Sequence, residues 1–266
     1  MDYAGLFPPA VLSMHGAVEA FATGLASEHA WMLGRFVVPV SRLAEFADAA
    51  VARGGPARWP LSVLAGDDPD ADARTVEQLL ASHRDHIDVE SIECRAWDTN
   101  EIDRWLTVFP THVVFVEVPL REGLSDVLGR IAARGGRAKI RTGGVTADLF
   151  PTVAQVADFI ACCAVLGLGF KATAGLHHPL RAEHALTYER DSHRALMHGF
   201  LNVFLAAADA FVGATAEEIA ITLELHEAGV IRFHGDHVTA GTRQLPLEAL
   251  GQARERLVTS FGSCPF

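Results

Sequence analysis

Short apolar runs and longer stretches with apolar residues every three or four positions alternate along most of this chain. Residues 35–40, 61–65, 87–96, 113–119, 137–142 and 169–174 read as strands, because each is β-rich and bounded by glycine, proline or polar clusters. Val113-Val-Phe-Val-Glu-Val-Pro119 is the clearest, apolar on both faces as a parallel strand between two layers must be. Residues 41–53, 71–84, 100–107, 125–134 and 151–166 carry the helical period between them. Ser41 is placed to cap the first of these, and Pro151 sits in the favoured first turn of the last. Further helices are predicted over 9–33, 195–211, 215–227 and 247–258.

Six strand–helix units in succession predict a parallel α/β sheet with right-handed crossovers. The 266-residue length suits one (β/α) barrel of the TIM-barrel kind, a single domain over 1–266 with an N-terminal helix and a C-terminal hairpin plus helix. The last quarter breaks the rhythm. Residues 230–234 and 237–240 flank Gly235-Asp236 and read as a hairpin, which leaves open a closed eight-stranded barrel, an incomplete one or an open sheet.

Scarcity then points to the chemistry. Of 22 Lys plus Arg residues only Lys139 and Lys171 are lysines, and both fall inside predicted core strands of consecutive units. Arginine stays charged in proteins, whereas a buried lysine can lose its proton and act as a base or as a carbonyl-attacking amine. Strand alternation puts Lys139 with Arg141 on one face, and Lys171 with Thr173 on one face, with Ile140, Ala172 and Ala174 turned to the helices. Glu117 ends the neighbouring strand among valines, where a carboxylate needs Lys139 or Arg141 as its partner. Glu93 is a weaker member of the same ring. Arg141-Thr142-Gly143-Gly144 could cradle an anion, since glycines let backbone N–H groups approach it and Arg offers a fork. His177 and His178 follow directly, as candidate acids at the mouth.

Charge and motifs narrow the field. A formal net charge of −11 with no basic stripe argues against nucleic acid, while leaving room for a small anionic substrate. Cys94, Cys162, Cys163 and Cys264 form no C-x-x-C pair and read as reduced thiols. With no convincing signal peptide and no long uncharged apolar run, a cytoplasmic protein away from membranes is expected. No Gly-x-Gly-x-x-Gly, Walker or Gly-x-Ser-x-Gly pattern is present, so no cofactor is expected. Exposed and interfacial helix faces look alike in sequence, so homo-oligomerisation stays open.

Phe170-Lys-Ala-Thr-Ala-Gly175 resembles the sixth strand of the deoxyribose-phosphate aldolases, class I barrel aldolases in which a similar segment carries the Schiff-base lysine. The resemblance covers about six residues and implies that role for Lys171. That family's second lysine lies on the strand after, whereas Lys139 lies on the strand before. Lys139-Ile-Arg-Thr-Gly-Gly144 together with Lys171-Ala-Thr-Ala-Gly-Leu-His-His178 is also similar to a group of bacterial barrel-like proteins, a likeness that implies no activity.

The leading expectation is a lyase or isomerase of a small anionic carbonyl compound. Lys171 forms a Schiff base or abstracts a proton, Lys139 tunes it and Glu117 moves a proton. His177 or His178 acts as acid, and Arg141, Thr142, Gly143, Gly144 and Thr173 hold the substrate. Two alternatives stand beside it: a divalent-metal enzyme using Glu117, His177 and His178, and a barrel without catalysis.

Overall fold

The computed structural model describes residues 1–264. Seven strands come first: β1 (Asp2–Tyr3), β2 (Phe36–Pro39), β3 (Trp59–Leu64), β4 (Ile87–Arg95), β5 (Val113–Glu117), β6 (Arg137–Arg141) and β7 (Phe170–Thr173). Then follow β8 (Ala182–Ala185), β9 (Arg194–Met197), β10 (Ile231–Phe233), β11 (His237–Ala240), β12 (Arg243–Pro246) and β13 (Val258–Ser263). Strands β1 to β7 and β13 pair in parallel and close in the order β1-β13-β7-β6-β5-β4-β3-β2. The fold is an eight-stranded α/β barrel of the TIM-barrel type, so the question of closure is answered by β1 and β13.

Helices α1 (Met14–Leu25), α2 (Leu43–Arg53), α3 (Pro69–His83), α4 (Thr99–Val108), α5 (Leu124–Ala133) and α6 (Val153–Leu166) alternate with the strands. Polar caps set their starts: Asp68 accepts from the Asp70 and Ala71 N–H groups with Pro69 next in line, and Asp98 does the same for α4. Thr152 and Gln155 form a capping box on α6, which ends at left-handed Gly167. Pro151 therefore precedes the cap instead of occupying the first turn. The segment Ala147–Leu166 is long and apolar enough to cross a membrane by length and composition. Its α6 portion buries Val156, Phe159, Ile160 and Cys163 as one of the barrel's outer helices.

The chain's last third contains α7 (Phe200–Phe211), α8 (Ala216–Leu223) and α9 (Leu247–Arg256). The expected hairpin is present as β10–β11, and β12 extends it to three antiparallel strands. Buried Asp209 on α7 ties this sheet down by accepting from Arg243 at 2.8 Å and from the Thr222 hydroxyl at 2.5 Å. Three predicted helices shrink, that over 215–227 to α8 alone. Residues 9–33 hold α1 and a separate 3-10 turn at Ala30–Met32, because β1 and the turns around Pro8-Pro9 precede the helix. Residues 195–197 belong to β9, which pairs antiparallel with β8, and the helix starts at Phe200.

Strand alternation gives the barrel two different linings. Leu61, Val63, Ile92, Cys94, Val114, Val116, Ala138, Ile140, Phe170 and Ala172 face the helices and form one apolar core. The inward side is polar where most barrels of this kind stack branched aliphatics: Asp2, Ser62, Ser91, Glu93, Lys139, Lys171 and Ser260 are all buried.

Candidate active site at the barrel mouth

Lys139 and Lys171 stand side by side in the register of β6 and β7, as their parity requires. Both are buried, and Lys171 is completely enclosed. Glu93 on β4 lies between them, 2.5 Å from Lys171 Nζ through Oε1 and 3.0 Å from Lys139 Nζ through Oε2. Lys171 is also paired to Asp2. Lys139 is 3.0 Å from Glu117, whose other oxygen accepts from Arg95 Nε at 3.1 Å. Charges of opposite sign thus alternate across the barrel in the order Asp2, Lys171, Glu93, Lys139, Glu117, Arg95.

Ser62 Oγ donates to Glu93 Oε1 at 2.6 Å, so the 2.8 Å contact between Ser62 and Ser91 has Ser91 as donor. The Lys171 ammonium lies 5.7 Å from the centre of the Phe115 ring, which provides an apolar floor. Asp2 reaches the interior because Tyr3, the other residue of β1, points outward against Phe21 and Phe36. Its second oxygen accepts the Arg35 backbone N–H at 3.0 Å.

Burial alone would raise the carboxyl pKa values and lower that of Lys139, and the pairing reverses both. Desolvation pushes Glu93 up, but Lys171 and Lys139 pull it far below the ordinary carboxylate range. Asp2 is likewise lowered by Lys171 and Arg35 against its burial, and Glu117 by Lys139, Arg95 and Arg141. Burial opposes the Lys139 charge, yet Glu93 and Glu117 raise its pKa above the ordinary lysine value. At neutral pH Asp2, Glu93 and Glu117 are therefore carboxylates and Lys139 an ammonium.

A cavity of about 340 Å³ opens at the carboxyl ends of β4, β5 and β6. Glu117, Arg95 and Arg141 line its inner side and Trp97, Leu149 and Phe150 its rim. Barrel enzymes carry their sites at this end. Other clefts, such as that around Arg84 and His112, lie at the opposite end, where helices lead back into strands.

The remaining expected site residues are placed as follows. Arg141 lines the cavity, with its Nε bonded to the Gly143 carbonyl at 3.0 Å. Thr142 is fully buried and donates to the Ala174 carbonyl at 2.6 Å, which joins the ends of β6 and β7. Thr173 Oγ1 bonds the Ile140 carbonyl at 3.4 Å. Gly143 permits a close crossing: a Cβ there would sit 2.5 Å from Phe150 and 2.9 Å from Gly175 Cα. A Cβ on Gly144 would meet Leu149 at 2.3 Å. Packing against Phe150, Leu149 and Gly175 therefore accounts for both glycines.

His177 Nδ1 lies 3.6 Å from Cys264 Sγ, and His178 stacks on His184 at 3.4 Å between ring centres. Burial lowers the pKa of both His177 and His178. His198 is buried just before α7 and its Nε2 contacts the Pro151 carbonyl at 2.8 Å. The structure does not gather Glu117, His177 and His178 into one ligand set: among the described residues no three His, Cys, Asp or Glu side chains converge on a metal position.

Sequence reasoning passed over Asp2, Ser62, Ser91 and Arg95, and ranked Glu93 too low. Polar Ser62 within the otherwise apolar β3 was the available signal, whereas Ser91 and Glu93 share β4 with Asp88, Glu90 and Arg95 and do not stand out there. A two-residue strand holding Asp2 offers no period to read.

The fold and site together define a (β/α)-barrel protein with an ion-paired, lysine-centred interior beneath a small cavity at its mouth. No family model matches the sequence, and no curated protein does.

Proposed function

We propose that this protein is a lyase or isomerase that acts on a small anionic carbonyl compound through an active-site lysine, and that Lys139 is the reacting amine. The observation that carries the reading is the position of Glu117, which touches Lys139 at 3.0 Å and also lines the cavity. Lys171 is enclosed between Asp2 and Glu93, so its role is electrostatic: it holds Glu93 ionised against Lys139.

Lys139 rests as an ammonium and must release a proton before it can attack. Glu117 accepts that proton, leaving a neutral amine beside a neutral acid. The amine nitrogen bonds to the carbonyl carbon, and the carbonyl π pair moves to oxygen, which takes the proton from Glu117 and leaves it a carboxylate. Nitrogen returns a proton to Glu117, giving the carbinolamine. Glu117 then protonates the departing hydroxyl, water leaves, and a protonated imine faces a carboxylate again. Charge and protons balance within the pair. The four free cysteines fit a cytoplasmic setting for this chemistry.

Borohydride trapping with a panel of small aldehydes and keto acids, read by intact mass and peptide mapping, tests the assignment. The expected result is one reduced adduct on Lys139, and turnover of the trapped substrate lowered about 10²–10⁴-fold by Glu117→Gln. Adducts on Lys171 alone would remove Lys139 from the reacting role.

A further inference from the structure

We propose that the cavity at the mouth recognises the carboxylate of a small, flat, largely apolar acid, with Arg141 binding the carboxylate and Trp97 covering the flat body. The inference deepens the lysine-enzyme reading and rests on it for its catalytic meaning, though the binding itself does not.

Arg141 is half-buried on the cavity wall, and its side chain's only hydrogen bond among the described residues runs from Nε to the Gly143 carbonyl at 3.0 Å. It forms no ion pair there, although nearly every other cation around this mouth is committed: Arg95 and Lys139 to Glu117, and Lys171 to Asp2 and Glu93. The bond from Nε fixes the guanidinium plane, and its terminal nitrogens are left to offer a planar fork, the geometry that matches a carboxylate.

Charge favours a monoanion over a phosphate dianion. Arg95 and Arg141 share the lining with Glu117 and Asp148, so the cavity holds no excess positive charge with which to neutralise a dianion. The Gly143-Gly144 turn, which could have cradled phosphate, has its open sides filled by Phe150 and Leu149.

The rest of the wall describes the ligand's body. Trp97, Pro119, Leu120, Leu149 and Phe150 present apolar surface beside Arg141. Trp97 is 58% exposed, but its backbone is held at both ends. Its N–H donates to Glu101 Oε2 at 2.6 Å, and its carbonyl accepts from Arg121 at 3.1 Å. An exposed indole on a fixed backbone is a stacking surface.

Isothermal titration of the full chain at pH 7 with benzoate, phenyl phosphate and benzyl alcohol tests the proposal. Benzoate should bind at least tenfold more tightly than either of the others. Arg141→Gln should weaken benzoate binding about tenfold or more, Arg141→Lys should restore part of it, and Trp97→Leu should weaken it severalfold, each with unchanged circular dichroism. Phenyl phosphate binding as tightly as benzoate, equal affinity in Arg141→Gln, or no benzoate binding would each overturn it. None of these probes can form an imine, so benzoate binding with failed lysine trapping would sink the enzymatic reading alone. Trapping without benzoate binding would sink only the carboxylate site.

Discussion

At the scale of single residues, Asp2 enters the barrel because Tyr3 leaves it. The aromatic cluster of Tyr3, Phe21 and Phe36 fixes the outward side of β1, and alternation then sends Asp2 to Lys171. Gly34 completes the seat, since a Cβ there would stand 2.6 Å from Asp2 Oδ1 and 3.3 Å from the Met1 carbonyl. Gly34→Ala should therefore destabilise the protein by about 1–3 kcal/mol through overpacking. Gly129 in α5 has open space around its Cα, and Gly129→Ala should stabilise by about 0.5–1 kcal/mol. Urea unfolding of the two variants makes the comparison. Equal tolerance of both would mean that Asp2 is not tightly seated. None of this was legible in the sequence, where Gly34 looked only like the edge of a strand.

At the scale of elements, the β8–β9 hairpin carries a contact that acid weakens. His184 belongs to β8 and stacks on His178, which lies before it. Burial lowers the pKa of both rings, and for His184 the nearby His178 and Arg194 lower it further. A histidine whose folded pKa lies below its unfolded value of about 6.5 stabilises the fold above that pH, and loses this as pH falls toward the folded value. Hydrogen exchange of Ala182–Ala185 and Arg194–Met197, corrected for intrinsic rates, should accelerate between pH 7 and pH 5. His184→Phe should flatten that response; an unchanged response would assign the pH effect elsewhere. The same segment shows why a helix was predicted over 195–211. Arg194–Met197 alternates exposed and buried, but four residues of alternation running into the apolar Phe200–Phe211 are absorbed into its period.

At the scale of the whole molecule, the alternating charges make stability depend on pH in a defined way. Asp2, Glu93 and Glu117 have lowered pKa values, so their contribution is present above the unfolded carboxylate pKa of about 4 and is lost as pH falls below it. Lys139 has a raised pKa, so its contribution is complete below the unfolded value of about 10.5 and is lost only above it. Glu93 touches both lysines, and removing its charge leaves each ammonium short of a buried partner. Glu93→Gln should lower stability at pH 7 by roughly 3–5 kcal/mol, and should lose less than the native protein on further acidification to pH 2. Denaturant unfolding across that range is the measurement. An unchanged midpoint at pH 7 would show that the ion network contributes nothing net.

The sequence by itself determined the alternation of six strands and their helices, because that order is written in local periods of two and 3.6 residues. It also singled out Lys139 and Lys171, since two lysines among so many arginines can be counted without a structure, and strand parity gave their common face. A charge placed among valines called for Lys139 or Arg141 as the partner of Glu117, and the fold supplied Lys139. Tertiary structure alone decided that β1 and β13 close the barrel, for two residues have no period and β13 follows α9 without a break in apolar pattern. It decided that Glu93 is the central carboxylate and that Asp2 joins Lys171 across 169 positions of chain. It also separated the two lysines, enclosing one and setting the other behind a cavity wall, because burial depends on how the strands close around a side chain and not on the residues beside it.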